Sequence, residues 1–68
     1  MNKSLDDYLR WFRAEAGTLQ SGVRDSVLDA IARETPRQVF LGLNELWEEK
    51  KLPENWGAEL DGFYWQFC

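Results

Sequence analysis

The first side chains to weigh for covalent or acid–base chemistry are the thiol of Cys68, the hydroxyls of Ser4 and Thr35, and the adjacent carboxylates Asp6–Asp7 and Glu48–Glu49. A nucleophilic Cys, Ser or Thr needs a neighbouring base to take its proton, and the 68 residues contain no histidine. Ser4 and Thr35 have a plainer use, because each stands where a helix needs an N-cap. Adjacent residues on a helix point in different directions, so neither carboxylate pair converges on one substrate atom. With no His and a single Cys, the common zinc sets cannot be built. No glycine-rich phosphate loop or EF-hand pattern occurs. A chain this short also has little interior in which to enclose a substrate. The expectation is a protein that is not an enzyme and that uses no cofactor or metal.

Recognition is the class that remains, and the charge distribution shapes it. Residues 1–37 carry six basic and six acidic groups, which cancel. Residues 38–68 carry Lys50 and Lys51 against Glu45, Glu48, Glu49, Glu54, Glu59 and Asp61, so the whole net charge of −4 lies there. Seven of the ten aromatic residues lie in the same half: Phe40, Trp47, Trp56, Phe63, Tyr64, Trp65 and Phe67. An acidic, aromatic half argues against direct binding to a phosphate backbone, which calls for clustered Lys and Arg. It suits a protein contact, where Trp and Tyr dominate the binding energy and carboxylates steer toward a basic surface.

The elements that position these residues read as helices. Ser4 caps a segment over 4–16, with Asp6 and Asp7 in its first turn and Gly17 as its stop. Leu5, Leu9, Phe12 and Ala16 share one face with Tyr8 beside them, whereas Trp11 lies off that stripe. A second helix is expected over 21–34, with Val23, Val27, Ala30 and Ile31 as its stripe, Leu28 widening it, and Asp29 and Arg33 at i,i+4. "TPRQ" at 35–38 opens a third over 36–51: Thr35 caps it, Pro36 suits its first position, and Gln38 completes a capping box. Val39, Leu43 and Leu46 form its stripe, Phe40 and Trp47 flank it, and Pro53 ends it. The remainder, "PENWGAELDGFYWQFC", is ambiguous. Trp56, Leu60, Phe63 and Phe67 have helical spacing, but Asp61-Gly62 is a turn signal and Phe-Tyr-Trp favours strand. The reading adopted is a short fourth helix near 54–60, a turn at 61–62 and an ordered aromatic tail. The fold class is therefore all-α: a single three-helix domain over 1–68 with that tail.

The residues expected to meet a partner are Trp11, Leu41, Glu45, Glu48, Glu49, Tyr64 and Trp65. Trp11 leaves its stripe, Leu41 points outward on the third helix, and Tyr64 and Trp65 cannot both face one core. The three glutamates supply the acidic surround. The functional expectation is a small acidic interaction module, an inhibitor or adaptor that occludes a basic functional surface of a larger protein. Small proteins that bacteriophages direct against host machinery have this general character. The partner calls are a protein with a basic surface and a second copy in a homodimer, since apolar patches of this size are rare on monomers. The alternative is a DNA-binding regulator: three helices followed by "KKLPENWGAELDGFYWQF" are similar in order to a helix-turn-helix with a wing. Glu45, Glu48 and Glu49 on the would-be reading helix make nucleic-acid binding the weaker option. The longest uncharged apolar run, Val39–Leu43, is far short of a membrane span, no apolar leader precedes the first helix, and one unpaired cysteine suits a reducing cytosol. A cytoplasmic location is expected.

Overall fold

The computed structural model describes residues 3–68. These residues form an all-α fold of four helices with no strand: α1 (Leu5–Ala16), α2 (Ser21–Ile31), α3 (Pro36–Glu48) and α4 (Asn55–Phe67). Each helix packs against the next, and α1 meets α4 to close the ring.

Local chemistry sets the starts of α1 and α3 and the end of α3, whereas the starts of α2 and α4 have no side-chain cap. The Asp7 N–H donates to Ser4 Oγ at 3.1 Å and the Ser4 N–H donates to Asp7 Oδ2 at 3.4 Å, a reciprocal capping box at the start of α1. At α3 only half of the expected box forms. The Gln38 N–H donates to Thr35 Oγ1 at 3.2 Å, with Pro36 in the first turn, but the return bond from the Gln38 side chain is not made. The second helix stops at Ile31, three residues before the expected end, so Arg33 is not on the helix with Asp29. Its guanidinium donates to the Gln38 carbonyl at 3.3 Å instead.

The third helix stops at Glu48, short of residue 51. Lys50 adopts φ 60°, its N–H donates to the Trp47 carbonyl, and the Lys51 N–H donates to the Leu46 carbonyl, both at 2.9 Å. That paired pattern is a Schellman cap, with a lysine in the left-handed position usually held by glycine. The chain is therefore turned out of α3 before Pro53 is reached.

The largest departure from expectation is α4. Asp61-Gly62 is no turn, and the helix runs unbroken through both residues to Phe67. The helical spacing of Trp56, Leu60, Phe63 and Phe67 prevails because it buries three of these side chains and packs the fourth against the core. Gly62 serves packing rather than chain reversal: a Cβ there would stand 2.5 Å from the Tyr8 hydroxyl. Glycine lets α1 and α4 approach to that distance, and the buried contact outweighs the roughly 1 kcal/mol that glycine costs a helix interior.

An aromatic stack from α1 and α4 forms one side of the core. Phe12 and Trp56 lie nearly parallel with centroids 5.5 Å apart, and Phe63 meets Phe12 edge-on at 5.6 Å. All three are fully buried. Val27, Ala30 and Ile31 of α2, Val39, Leu43 and Leu46 of α3, and Leu52 and Leu60 complete the core. Polar contacts fasten the α1–α4 seam. Lys3 Nζ pairs with Glu59 Oε2 at 2.6 Å, the Tyr8 hydroxyl donates to Gln66 Oε1 at 3.1 Å, and Gln66 Nε2 donates to the Lys3 carbonyl at 2.7 Å. Among the described residues, no helix is long and apolar enough to cross a membrane.

Candidate protein-interaction surface

Helices α3 and α4 lie side by side, and their outer edges define a groove. Its lining is Phe40, Asn44, Trp47, Gly57, Leu60, Asp61 and Tyr64, and its volume is about 220 Å³. Helical spacing explains the set. Phe40, Asn44 and Trp47 recur every three to four residues along α3, as do Gly57, Leu60, Asp61 and Tyr64 along α4. Phe40 and Tyr64 close one end, their ring centroids 5.0 Å apart. At the other end Trp47 lies on Gly57, so closely that a Cβ there would come within 2.9 Å of the indole. The missing side chain lets the distal edge of the indole reach the α4 backbone and form the groove wall. The polar members, Asn44 and Asp61, make no side-chain hydrogen bond or ion pair among the described residues.

Beyond the groove, Trp65 stands on the next position of α4. It is 77% exposed, Tyr64 is 45% exposed, and their rings meet edge-on at 5.9 Å. Leu41, 52% exposed, is the neighbour of Phe40 on α3. An exposed tryptophan on an ordered helix is rare on a surface with no partner, because its large ring is hidden wherever packing allows. Leu28, expected in the stripe of α2, is also turned outward at 37% exposure.

The fold brings together only part of the expected partner set. Tyr64 and Trp65 are exposed and in contact on α4, and Leu41 is exposed on α3. Trp11 is elsewhere and half-buried: it meets Trp56 edge-on at 5.3 Å and Phe12 at 5.8 Å, with Lys3 Nζ 5.9 Å from its ring centre. It extends the core stack across the α1–α4 seam and is not a free surface. Glu45 and Glu49 line the opposite flank of α3, with Ser26, Asp29 and Arg33. Glu48 lies beside Trp47 and Glu54. The glutamates thus bracket α3 rather than ring one patch. Glu49 is also drawn 3.2 Å from Lys51. Near the end of α4, burial pushes the Cys68 thiol above its ordinary value, and the nearby Arg37 charge offsets only part of that rise.

The groove itself was not read from the sequence. In the sequence Phe40 and Trp47 read as the flank of the α3 stripe, and the role of Gly57 emerges only once α4 lies against α3. The available signal was a helix-breaking glycine next to Trp56 in an otherwise helical register. What the arrangement can do is bind: aromatic faces, one amide and one free carboxylate converge on a shallow groove. Among the described residues, no three His, Cys, Asp or Glu side chains gather as metal ligands would. Comparison of the chain with family models, with curated proteins and with solved structures gave no match.

Proposed function

We propose that this chain is a small protein-interaction module that docks through its α3–α4 face onto a basic surface of a larger protein, acting there as an inhibitor or adaptor. The observation that carries this reading is Trp65, 77% exposed on an ordered helix, its ring against exposed Tyr64, which in turn lines an aromatic groove. Interface hot spots are enriched in these two residue types. The charge supports a basic partner: the half of the chain that builds α3 and α4 holds the entire net −4, and such a field speeds encounter with a cationic patch. The same field weighs against a second copy on this face, because pairing would bring two acidic halves together. It weighs against DNA too, and the α4 helix occupies the residues that a wing would need.

The test is affinity capture from the native cell with mass-spectrometric identification. A basic protein held by the wild type, lost with Trp65→Ser and weakened by Glu48→Lys with Glu49→Lys, is the expected result. Charge reversal that tightens the complex overturns the electrostatic argument. Sedimentation equilibrium over about a hundredfold concentration range decides the homodimer, since a self-associating chain gains mass and melting temperature with concentration. A mass of 8.0 kDa throughout leaves the face to a foreign partner.

A further inference from the structure

We infer that the α3–α4 groove is a receptor for a single arginine side chain of the partner, with Asp61 as its counter-ion and Phe40, Trp47 and Tyr64 as its walls. This inference rests on the docking reading above and names the contact at its centre. Three observations carry it. First, the groove combines three aromatic rings with one carboxylate. Ring faces attract a cation within about 6 Å of their centres, and a carboxylate accepts a guanidinium through two parallel N–H bonds. Second, Asp61 has no ion-pair partner among the described residues: the lysines and arginines that form ion pairs do so with Asp7, Asp25, Glu49 and Glu59. Arg37 makes no ion pair with Asp61 among the described residues. Third, the Asn44 amide lines the same space with no side-chain hydrogen bond among the described residues and can accept a further guanidinium N–H.

Arginine fits this arrangement better than lysine. Its planar, weakly hydrated head can stack on Tyr64 or Trp47 while its fork faces Asp61. An ammonium is a strongly hydrated point charge that would lose more on entering an aromatic groove. The apolar stem of an arginine would lie along Leu60 and Phe40. A purely apolar anchor would leave the Asp61 and Asn44 side chains covered and unpaired, which is costly.

The experiment is a proton–nitrogen NMR titration of the intact chain with N-acetyl-arginine amide, set against the lysine and the uncharged citrulline compounds. The expected result is saturable shifts at the Trp47 indole N–H, the Asn44 side-chain amide and the Gly57 and Asp61 backbone amides with arginine. Lysine should bind more weakly, and citrulline should give no saturation. Asp61→Asn should weaken the arginine compound about tenfold, equivalent to about 1.4 kcal/mol. Tyr64→Leu, which removes one ring and keeps the carboxylate, should weaken it too and serves if Asp61→Asn does not fold. Equal binding of citrulline or lysine overturns the inference, as does arginine binding that ignores both substitutions. Trp65→Ser leaves the groove lining intact and separates the two readings. Arginine binding without Trp65-dependent capture sinks the docking reading alone. Trp65-dependent capture without groove binding sinks the arginine receptor alone.

Discussion

The hydroxyl of Tyr8 occupies the space where a side chain on Gly62 would begin, with 2.5 Å between that oxygen and a Cβ built on the glycine. The same hydroxyl is held by Gln66 one turn further along α4. Tyr8 is therefore pinned between a bond that draws it to α4 and a backbone that leaves room for nothing larger than hydrogen.

Gly62→Ala should destabilise the fold by about 1–3 kcal/mol through overpacking, although alanine is the better helix former. Tyr8→Phe removes the clashing oxygen, so the cost of Gly62→Ala should largely vanish in that background. Urea melts of the two single variants and the double variant measure the coupling. Additive losses would mean that the two helices do not meet at this point.

Lys50→Gly should stabilise the protein by up to about 1 kcal/mol, because a left-handed conformation penalises every residue with a Cβ. Lys50→Ala controls for the lost charge and should bring no such gain. Equal stabilisation by glycine and alanine would assign the effect to charge and count against the cap.

Thr35→Ala should cost about 1 kcal/mol, since it removes the side-chain acceptor of the Gln38 N–H at the start of α3. Thr35→Ser should keep most of that stability. Denaturant melts check both, and an unchanged midpoint for the alanine variant would contradict this helix start.

Cys68 should react slowly. Partial burial raises its thiol pKa and Arg37 only partly offsets the rise, so the folded chain holds less thiolate than the unfolded one. Alkylation by iodoacetamide at about pH 8 should be slower in the folded protein than in urea. The linkage has a definite sign. A raised folded-state pKa stabilises fully below the unfolded value, and that contribution is lost as pH rises through the folded one. An equal rate in both states would remove the burial argument.

Three of the helices were legible from residue order because their signals are local. Ser4 and Thr35 act within one turn, and the stripes of α1, α2 and α3 each repeat at helical spacing. The end of α3 was overextended because a left-handed Lys50 leaves no mark in a sequence where glycine would have, and α2 was run to residue 34 because Ala32, its C-cap, keeps a right-handed backbone and is no stop signal. The Asp61-Gly62 pair misled for a different reason. A glycine that makes room for a neighbouring helix looks the same, in one dimension, as a glycine that turns the chain. Trp11 was misplaced by assuming one apolar stripe. Helix α1 touches both α2 and α4, so its apolar arc is wide enough to include that ring. Leu41, Tyr64 and Trp65 were readable as outward because each breaks a pattern its neighbours keep. The groove was not readable, since it belongs to two helices and appears only when α3 and α4 are set side by side.

The bond from Gln66 Nε2 to the Lys3 carbonyl places the two ends of the described chain at the same seam. A short linker could join them without moving a helix, and the chain could then be opened at the exposed connection between α2 and α3, residues 32–35. Such a circular permutant would make the α1–α4 contact local in sequence and the α2–α3 contact remote. Because each helix would keep its neighbours, the ring should tolerate the change of order, and the aromatic face on α3 and α4 would be carried through it unaltered.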